Sequence, residues 1–255
     1  MHVTIKTPEE IALMREAGRI LGTVHNELKK VVRPGISTMD IDKACEELIR
    51  SYGCEPSFKG YEGFPGSACV SVNDEVIHGI PSEYVVLQDG DIVSIDTGVI
   101  YKGYQSDAAR TWGVGDISEE ASLLIKRTEE SFFEGMKYAK AGFHLHRMSA
   151  AIGDYASKFG YGVVREFTGH GIGTQMHEDP PIPNYRKAFP GIMLKAGMTL
   201  AVEPMINLGT RKVCYESEDD DWTIVTQDGS LSAHYENTIL ITEGEPEILS
   251  LVDEK

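Results

Sequence analysis

Asp91-Ile-Val-Ser-Ile-Asp96-Thr-Gly-Val-Ile-Tyr-Lys-Gly-Tyr-Gln-Ser-Asp107 sets two acidic residues inside what otherwise reads as a β-hairpin. Val93, Ile95 and the β-branched run Val99-Ile100 predict a first strand, Lys102-Gly103 a tight turn, and Tyr104 to Trp112 the return strand. With the turn centred on Tyr101-Lys102, Asp96 and Asp107 are expected directly opposite each other, with Cβ atoms roughly 5 Å apart. Like charges so placed repel. Either both carboxylates are solvated on an exposed edge or a cation lies between them, and the rest of the chain favours the cation.

The chain has 255 residues, enough for one large domain or two small ones. Acidic residues outnumber basic ones 40 to 24, a formal charge of -16, which argues against nucleic acid or an anionic membrane as the main partner. Met1 to Glu10 contains no apolar signal region, and no run approaches the roughly 18 apolar residues of a membrane span. Cys45, Cys54, Cys69 and Cys214 lack the spacing of a disulfide framework and read as reduced thiols. A cytoplasmic enzyme is the expectation.

Thr7-Pro-Glu-Glu10 combines an N-cap, a proline at the first helical position and a capping-box glutamate. Met14, Ala17, Leu21, Val24, Leu28 and Val31 then recur at helical spacing. A second helix shows Ile41, Ala44, Cys45, Leu48, Ile49 and Tyr52 on one face and ends near Gly53. An offset of 107 carries those positions onto Met148, Ala151, Ile152, Tyr155, Ala156 and Phe159, and carries Gly35 and Gly53 onto Gly142 and Gly160. The same offset carries Asp89-Gly-Asp-Ile-Val-Ser-Ile-Asp96 onto Ala196-Gly-Met-Thr-Leu-Ala-Val-Glu203, so one acid falls on the other. Two α+β halves related by pseudo-symmetry are expected, each with two helices before a strand that carries a carboxylate. A further helix is expected near Ser118-Glu-Glu, and a strand from His234 to Ile241 carries Glu236. The acidic loop Cys214 to Trp222 ends in a tryptophan suited to covering a pocket.

Phe167-Thr-Gly-His-Gly-Ile-Gly-Thr-Gln-Met-His-Glu-Asp-Pro-Pro181 has alternating glycines, but prolines follow it where a nucleotide loop would open a helix, and there is no phosphate-binding lysine. Its His170 joins Asp96, Asp107, Glu203 and Glu236 in a set of four carboxylates and one imidazole. Such ligation suits Mn or Fe and admits Co or Zn. Four negative charges match two divalent ions, which can share a water and polarise a carbonyl for hydrolysis.

In order and spacing, from the Thr7 helix to the Glu236 strand, these motifs resemble the methionine aminopeptidases of the short bacterial type, in the creatinase-like pita-bread family. The resemblance implies an α+β pita-bread fold in a single catalytic domain, 1–255. Its pseudo-symmetric halves, about 1–115 and 116–255, have antiparallel strands enclosing a dinuclear metal site and helices outside. It implies that Asp96, Asp107, His170, Glu203 and Glu236 hold two divalent ions, with Asp107 and Glu236 bridging both. By the same resemblance His78, in Val76-Ile-His-Gly-Ile-Pro81, and His177, in Met176-His-Glu-Asp-Pro180, contact the scissile amide and the developing oxyanion, while Glu203 shuttles protons. The methionine pocket corresponds to Tyr61, Phe64, Cys69, Met176 and Trp222, where the family usually has an aromatic residue at position 176 and often tyrosine at 64. The implied activity is removal of the N-terminal methionine from proteins and peptides with a small second residue, by a metal-bridged water attacking the first peptide bond. A monomer acting on nascent chains, in association with the ribosome, is implied too.

Two alternatives stand beside this. Xaa-Pro aminopeptidases of the same fold share the five ligands, but usually carry an extra N-terminal domain and lack the Cys69 to His78 segment in this form. Non-catalytic binding proteins of the fold characteristically lose ligands, and none is lost here. Neither the zinc-binding extension of longer homologues nor the helical insertion of the other type is expected.

Overall fold

Thr7 opens the first helix, α1 (Pro8–Val31), by accepting the Glu10 N–H, while the Glu10 carboxylate accepts the Thr7 N–H. Ser37 and Asp40 repeat this capping box at α2 (Thr38–Ser51). The computed structural model describes residues 2–253, so Met1 and positions 254–255 of the expected domain lie outside the described residues. Five strands follow the first two helices: β1 (Glu55–Pro56), β2 (Ala68–Val72), β3 (Glu75–Ile77), β4 (Ile92–Tyr101) and β5 (Tyr104–Gly113). β5 pairs antiparallel along one edge of β4, and β1 and β2 share its other edge. Leu21, Val24 and Leu28 of α1 and Ile41, Cys45 and Ile49 of α2 pack with Val70, Val93 and Ile95 of this sheet into one core.

The second half begins with α3 (Glu119–Met136), capped by Ser118 as expected, and α4 (Leu145–Ser157). Its strands are β6 (Gly162–Val163), β7 (Gly169–Gly171), β8 (Glu178–Ile182), β9 (Thr199–Val202), β10 (Met205–Asn207), β11 (Val213–Tyr215), β12 (Ile224–Thr226), β13 (Ser232–His234), β14 (Asn237–Leu240) and β15 (Glu247–Ile248). They form sheets in the orders β15-β14-β9-β7-β8, β13-β10-β6 and β11-β12-β3.

The offset of 107 extends to the backbone hydrogen bonding. β1 meets β4 at Glu55–Ile100 and Pro56–Val99, and β6 meets β10 at Gly162–Asn207 and Val163–Ile206. The bridge Ser37–Val86 recurs as His144–Met193, and the bond from Gly35 N–H to Leu87 O recurs from Gly142 to Leu194. Gly53 and Gly160 take φ of 71° and 78°, and Gly90 and Gly197 take 98° and 90°. Residues that differ in side chain thus do the same backbone work.

The halves meet where β5 lies against β13 and β14. Thr238 Oγ1 accepts the N–H of Asp107 (2.8 Å) and donates to its carbonyl (2.9 Å). Thr111 Oγ1 does the same for His234, at 2.9 Å each way. Hydroxyls therefore replace a strand ladder along this seam, and Glu236 N–H reaches Ala109 O directly at 3.0 Å.

Three expectations are corrected. The hairpin turn is centred on Lys102-Gly103, so Asp96 faces Ala109 and Asp107 faces Gly98. Lys102 and Gly103 both have positive φ, 48° and 84°, the two-residue turn whose twist matches that of the strands. The aspartates are thereby diagonal neighbours on one face instead of direct opposites. The strand expected over 234–241 is divided at Tyr235–Glu236, where Glu236 leaves its own ladder to bond across the seam. Phe159 lies beyond the end of α4, 39% exposed, with the Arg127 guanidinium 4.0 Å from its ring centre.

Candidate active site

Each carboxylate is delivered by a strand or by a break between strands. Asp96 stands in β4 and Asp107 in β5. Glu203 lies between β9 and β10, where Pro204 interrupts the strand, and Glu236 between β13 and β14. His170 is the middle residue of β7. The glycines on either side are fixed by close approach: a Cβ at Gly169 would lie 2.3 Å from Ala201 O, and one at Gly171 2.2 Å from Asp179 O. Only bare backbone brings the imidazole this near to β9.

One cleft gathers every site residue named from the sequence. Asp96, Asp107, His170, Glu203 and Glu236 line it together with His78, His177, Tyr61, Phe64, Cys69, Met176 and Trp222. His170 Nε2 lies 3.8 Å from Asp107 Oδ2 and 3.6 Å from Glu203 Oε1. Ligand atoms of Asp107, His170 and Glu236 fall within 4.8 Å of one another. Burial raises all four carboxyls, with mutual repulsion adding to it at Asp96, Glu203 and Glu236. Asp107 is pushed up to about 7, and the other three well above their usual range.

Asp96 Oδ1, Asp107 Oδ1 and Glu236 Oε1 are buried with no hydrogen-bond partner, a costly arrangement for acceptors that nothing satisfies. His170 Nδ1 donates to Gly171 O at 2.8 Å, and burial lowers its pKa to about 4. The ring is then neutral, with its Nε2 lone pair turned to the carboxylates. Oxygen acceptors without donors and one imidazole lone pair in a shared pocket fit hard or borderline divalent ions. Cys69 pairs with Asp96 in the ladder, but burial and the nearby aspartate push its thiol well above its usual pKa. It lines the cleft as a neutral apolar group.

The remaining wall is aromatic. Phe64 and Trp222 meet edge to face at 5.1 Å, Trp222 and His78 at 6.1 Å, and His78 and Phe167 at 5.7 Å. His78 is held at φ 60°, strain that the bond from Val70 N–H to Gly79 O (3.0 Å) helps to impose. Burial lowers its pKa to about 4 and also lowers that of His177, so both rings are neutral at neutral pH. Tyr61 Oη lies 2.8 Å from His177 Nδ1. The loop that carries Met176 and His177 is tied down behind by Lys6, whose Nζ donates to Glu178 Oε2 at 2.6 Å in a buried pair.

Phe58, Glu62, Phe167 and Thr168 also line the cleft and were not singled out from the sequence. Nor was His234, buried with both ring nitrogens unpartnered and Nε2 3.9 Å from Glu203 Oε2. Its place two residues before Glu236, on the same face of an alternating strand, was the available signal.

Residues 12–243 match the sequence model of metallopeptidase family M24. The chain is 53% identical over 251 residues to the methionine aminopeptidase of Clostridium acetobutylicum, covering 98% of this chain and 100% of that one. The crystal structure of methionine aminopeptidase from Thermotoga maritima superposes with a TM-score of 0.95 at 42% identity, over 98% of this chain and 100% of that one. The Xaa-Pro dipeptidase of Bacillus anthracis gives 0.78 at 27% identity, and only 63% of that chain is covered. The pita-bread fold, the matching family model and these relatives agree, and the chain belongs to metallopeptidase family M24, among the methionine aminopeptidases.

Proposed function

We propose that this chain removes the N-terminal methionine from proteins and peptides whose second residue is small. The observation that carries the reading is the convergence, in one cleft, of five ligand-type side chains with an apolar pocket and two neutral histidines. Asp96, Asp107, His170, Glu203 and Glu236 would hold two divalent ions, drawn from Mn, Fe, Co or Zn. When bound, such ions supply a Lewis acid for the scissile carbonyl and make a water acidic enough to attack near neutral pH.

The chain's own groups do the rest. Tyr61, Phe64, Cys69, Met176 and Trp222 receive the methionine side chain, a polarisable wall suited to an unbranched thioether. With the Tyr61 hydroxyl donating to His177 Nδ1, the imidazole proton sits on Nε2, free to donate to an amide oxygen as charge develops there. His78 offers a second neutral donor from a backbone already held in place. Glu203, facing the cleft, would take a proton from the attacking water at its carboxylate and pass it to the leaving amine.

A single catalytic domain over 1–255 with halves about 1–115 and 116–255, acting as a cytoplasmic monomer on nascent chains at the ribosome, completes the reading. Among the described residues no helix is long and apolar enough to cross a membrane. The test is to strip the protein of metal and add back divalent ions singly, assaying Met-Ala-Ser and Ala-Pro peptides. Restored cleavage of Met-Ala-Ser is expected. Preferential cleavage of Ala-Pro would replace this reading with an Xaa-Pro aminopeptidase.

A further inference from the structure

A second groove, almost wholly apolar, runs beside the cleft and shares Thr168 with it. Its walls include Pro180, Pro181, Pro183, Phe189, Pro190 and Ile192. Phe189 is 60% exposed, so a large apolar ring faces solvent in a chain with a formal charge of -16. Resting on the activity proposed above, we infer that this groove is an extended substrate site that takes apolar side chains three or more residues downstream of the scissile bond.

Direction comes from the order of ring contacts across the cleft. Phe64 touches Trp222, Trp222 touches His78, and His78 touches Phe167, the neighbour of Thr168. The methionine pocket occupies the Phe64–Trp222 end. A substrate held there and cleaved beside His78 leaves by the Phe167–Thr168 end, where the groove begins.

The groove also dictates how the chain is held. β8 is the edge strand of its sheet, and an edge normally invites another strand. Val3 already bridges Asp179 on that edge, and of the adjacent Pro180 and Pro181 one removes an N–H from the open side, so addition of a substrate strand is disfavoured and side-chain contact remains. Proline rings hold that surface rigid before anything binds, which reduces the entropy lost on docking. The walls carry Lys187 and His146 but no carboxylate, so basic downstream residues would be desolvated there without a matched partner.

The test compares Met-Ala-Gly, Met-Ala-Gly-Leu-Leu-Phe and Met-Ala-Gly-Lys-Lys-Ser with metal-loaded protein. Burying one or two apolar side chains should raise kcat/KM for the Leu-Leu-Phe peptide about tenfold over the tripeptide, chiefly through KM. Phe189→Ser and Ile192→Ser, each first checked for an unchanged melting temperature, should bring that ratio towards one. Calorimetric titration of the Leu-Leu-Phe peptide into metal-free protein, where no turnover occurs, should show the same weakening in both variants. Equal kcat/KM for the three peptides, or a long-peptide advantage that survives both variants, would overturn the groove. Failure to cleave any methionyl peptide would instead overturn the proposed activity, with the titration still deciding whether the groove binds.

Discussion

Thr111 and Thr238 perform the same task on opposite sides of the pseudo-symmetry axis: each hydroxyl bonds both the N–H and the carbonyl of one residue across the seam. What they hold differs, since Thr238 clamps Asp107 and Thr111 clamps His234. Replacing either by valine leaves two buried backbone groups without a partner, a loss of about 1–3 kcal/mol of stability. Thr238→Val should in addition weaken metal affinity by about 10- to 100-fold, the usual effect of losing a group that orients a ligand. Thr111→Val should change it far less. Chemical denaturation and metal titration on both variants check this, and equal metal affinities would refute the division.

The Lys6–Glu178 pair invites a different measurement. Its side chains are only 5% and 10% exposed, so removing one partner strands a charge in the interior. Lys6→Met alone should cost roughly 3 kcal/mol, whereas Lys6→Met combined with Glu178→Gln should recover part of that loss. Because Glu178 follows His177 directly, the single variant should also lower kcat/KM. Full activity in a destabilised Lys6→Met protein would show that the pair anchors the fold without positioning the histidine.

Much of this arrangement was legible in the sequence because a repeated backbone task leaves a repeated trace. Glycines at positive φ and apolar stripes at helical spacing recur at one offset, and Glu203 was found from Asp96 by that offset alone. The hairpin register was misplaced by a step because the turn was centred on Tyr101-Lys102. Lys102 adopts positive φ against its own preference, and Gly103 beside it was the clue to a two-residue turn centred one position later. Phe167 and Thr168 carry no local signature, and His234 carries only its spacing of two from Glu236. Their roles arise from the way β5 meets β13 and from rings brought together across distant segments. The Pro-rich wall reads in sequence only as the reason a nucleotide loop fails. Its part in a groove depends on β8 lying at a sheet edge.

Metal removal should act on stability with a defined pH dependence. Without ions, burial holds Asp107 at about 7 and keeps the other three carboxyls above their usual range. Between an unfolded carboxyl pKa of about 4 and these raised values, the folded protein binds more protons than the unfolded one, so its stability falls as pH rises. Bound cations hold the carboxylates ionised in the folded protein and remove that trend, because the protons are displaced when metal binds. The melting temperature of loaded protein should therefore exceed that of chelated protein, and the gap should widen from pH 5.5 to 7.5. Comparing the two forms at each pH cancels titrations elsewhere in the chain. A gap that stays constant or narrows would mean the four carboxylates do not share bound cations.

The three cleft histidines should separate by what each substitution removes. His170 presents Nε2 to Asp107 and Glu203 while its Nδ1 is tied to Gly171, the geometry of a ligand. His170→Ala should lose or weaken one ion, visible in a metal count before any kinetics. His177 and His78 face the cleft as neutral donors, and a donor aimed at developing charge is typically worth about 10² to 10³ in rate. His177→Ala should keep its metal and nearly all of its stability while kcat falls by that order. Tyr61→Phe removes the hydroxyl that contacts His177 Nδ1, and should give a smaller loss in the same direction. His78→Ala should resemble His177→Ala in rate, and it releases a strained left-handed residue only if the new side chain lets the backbone move. A merely structural histidine would give the opposite pattern, with lower melting temperature and little specific change in turnover. Metal content, melting temperature and kcat on all four variants decide the matter, and loss of metal from His177→Ala would show that the ligand set extends beyond His170.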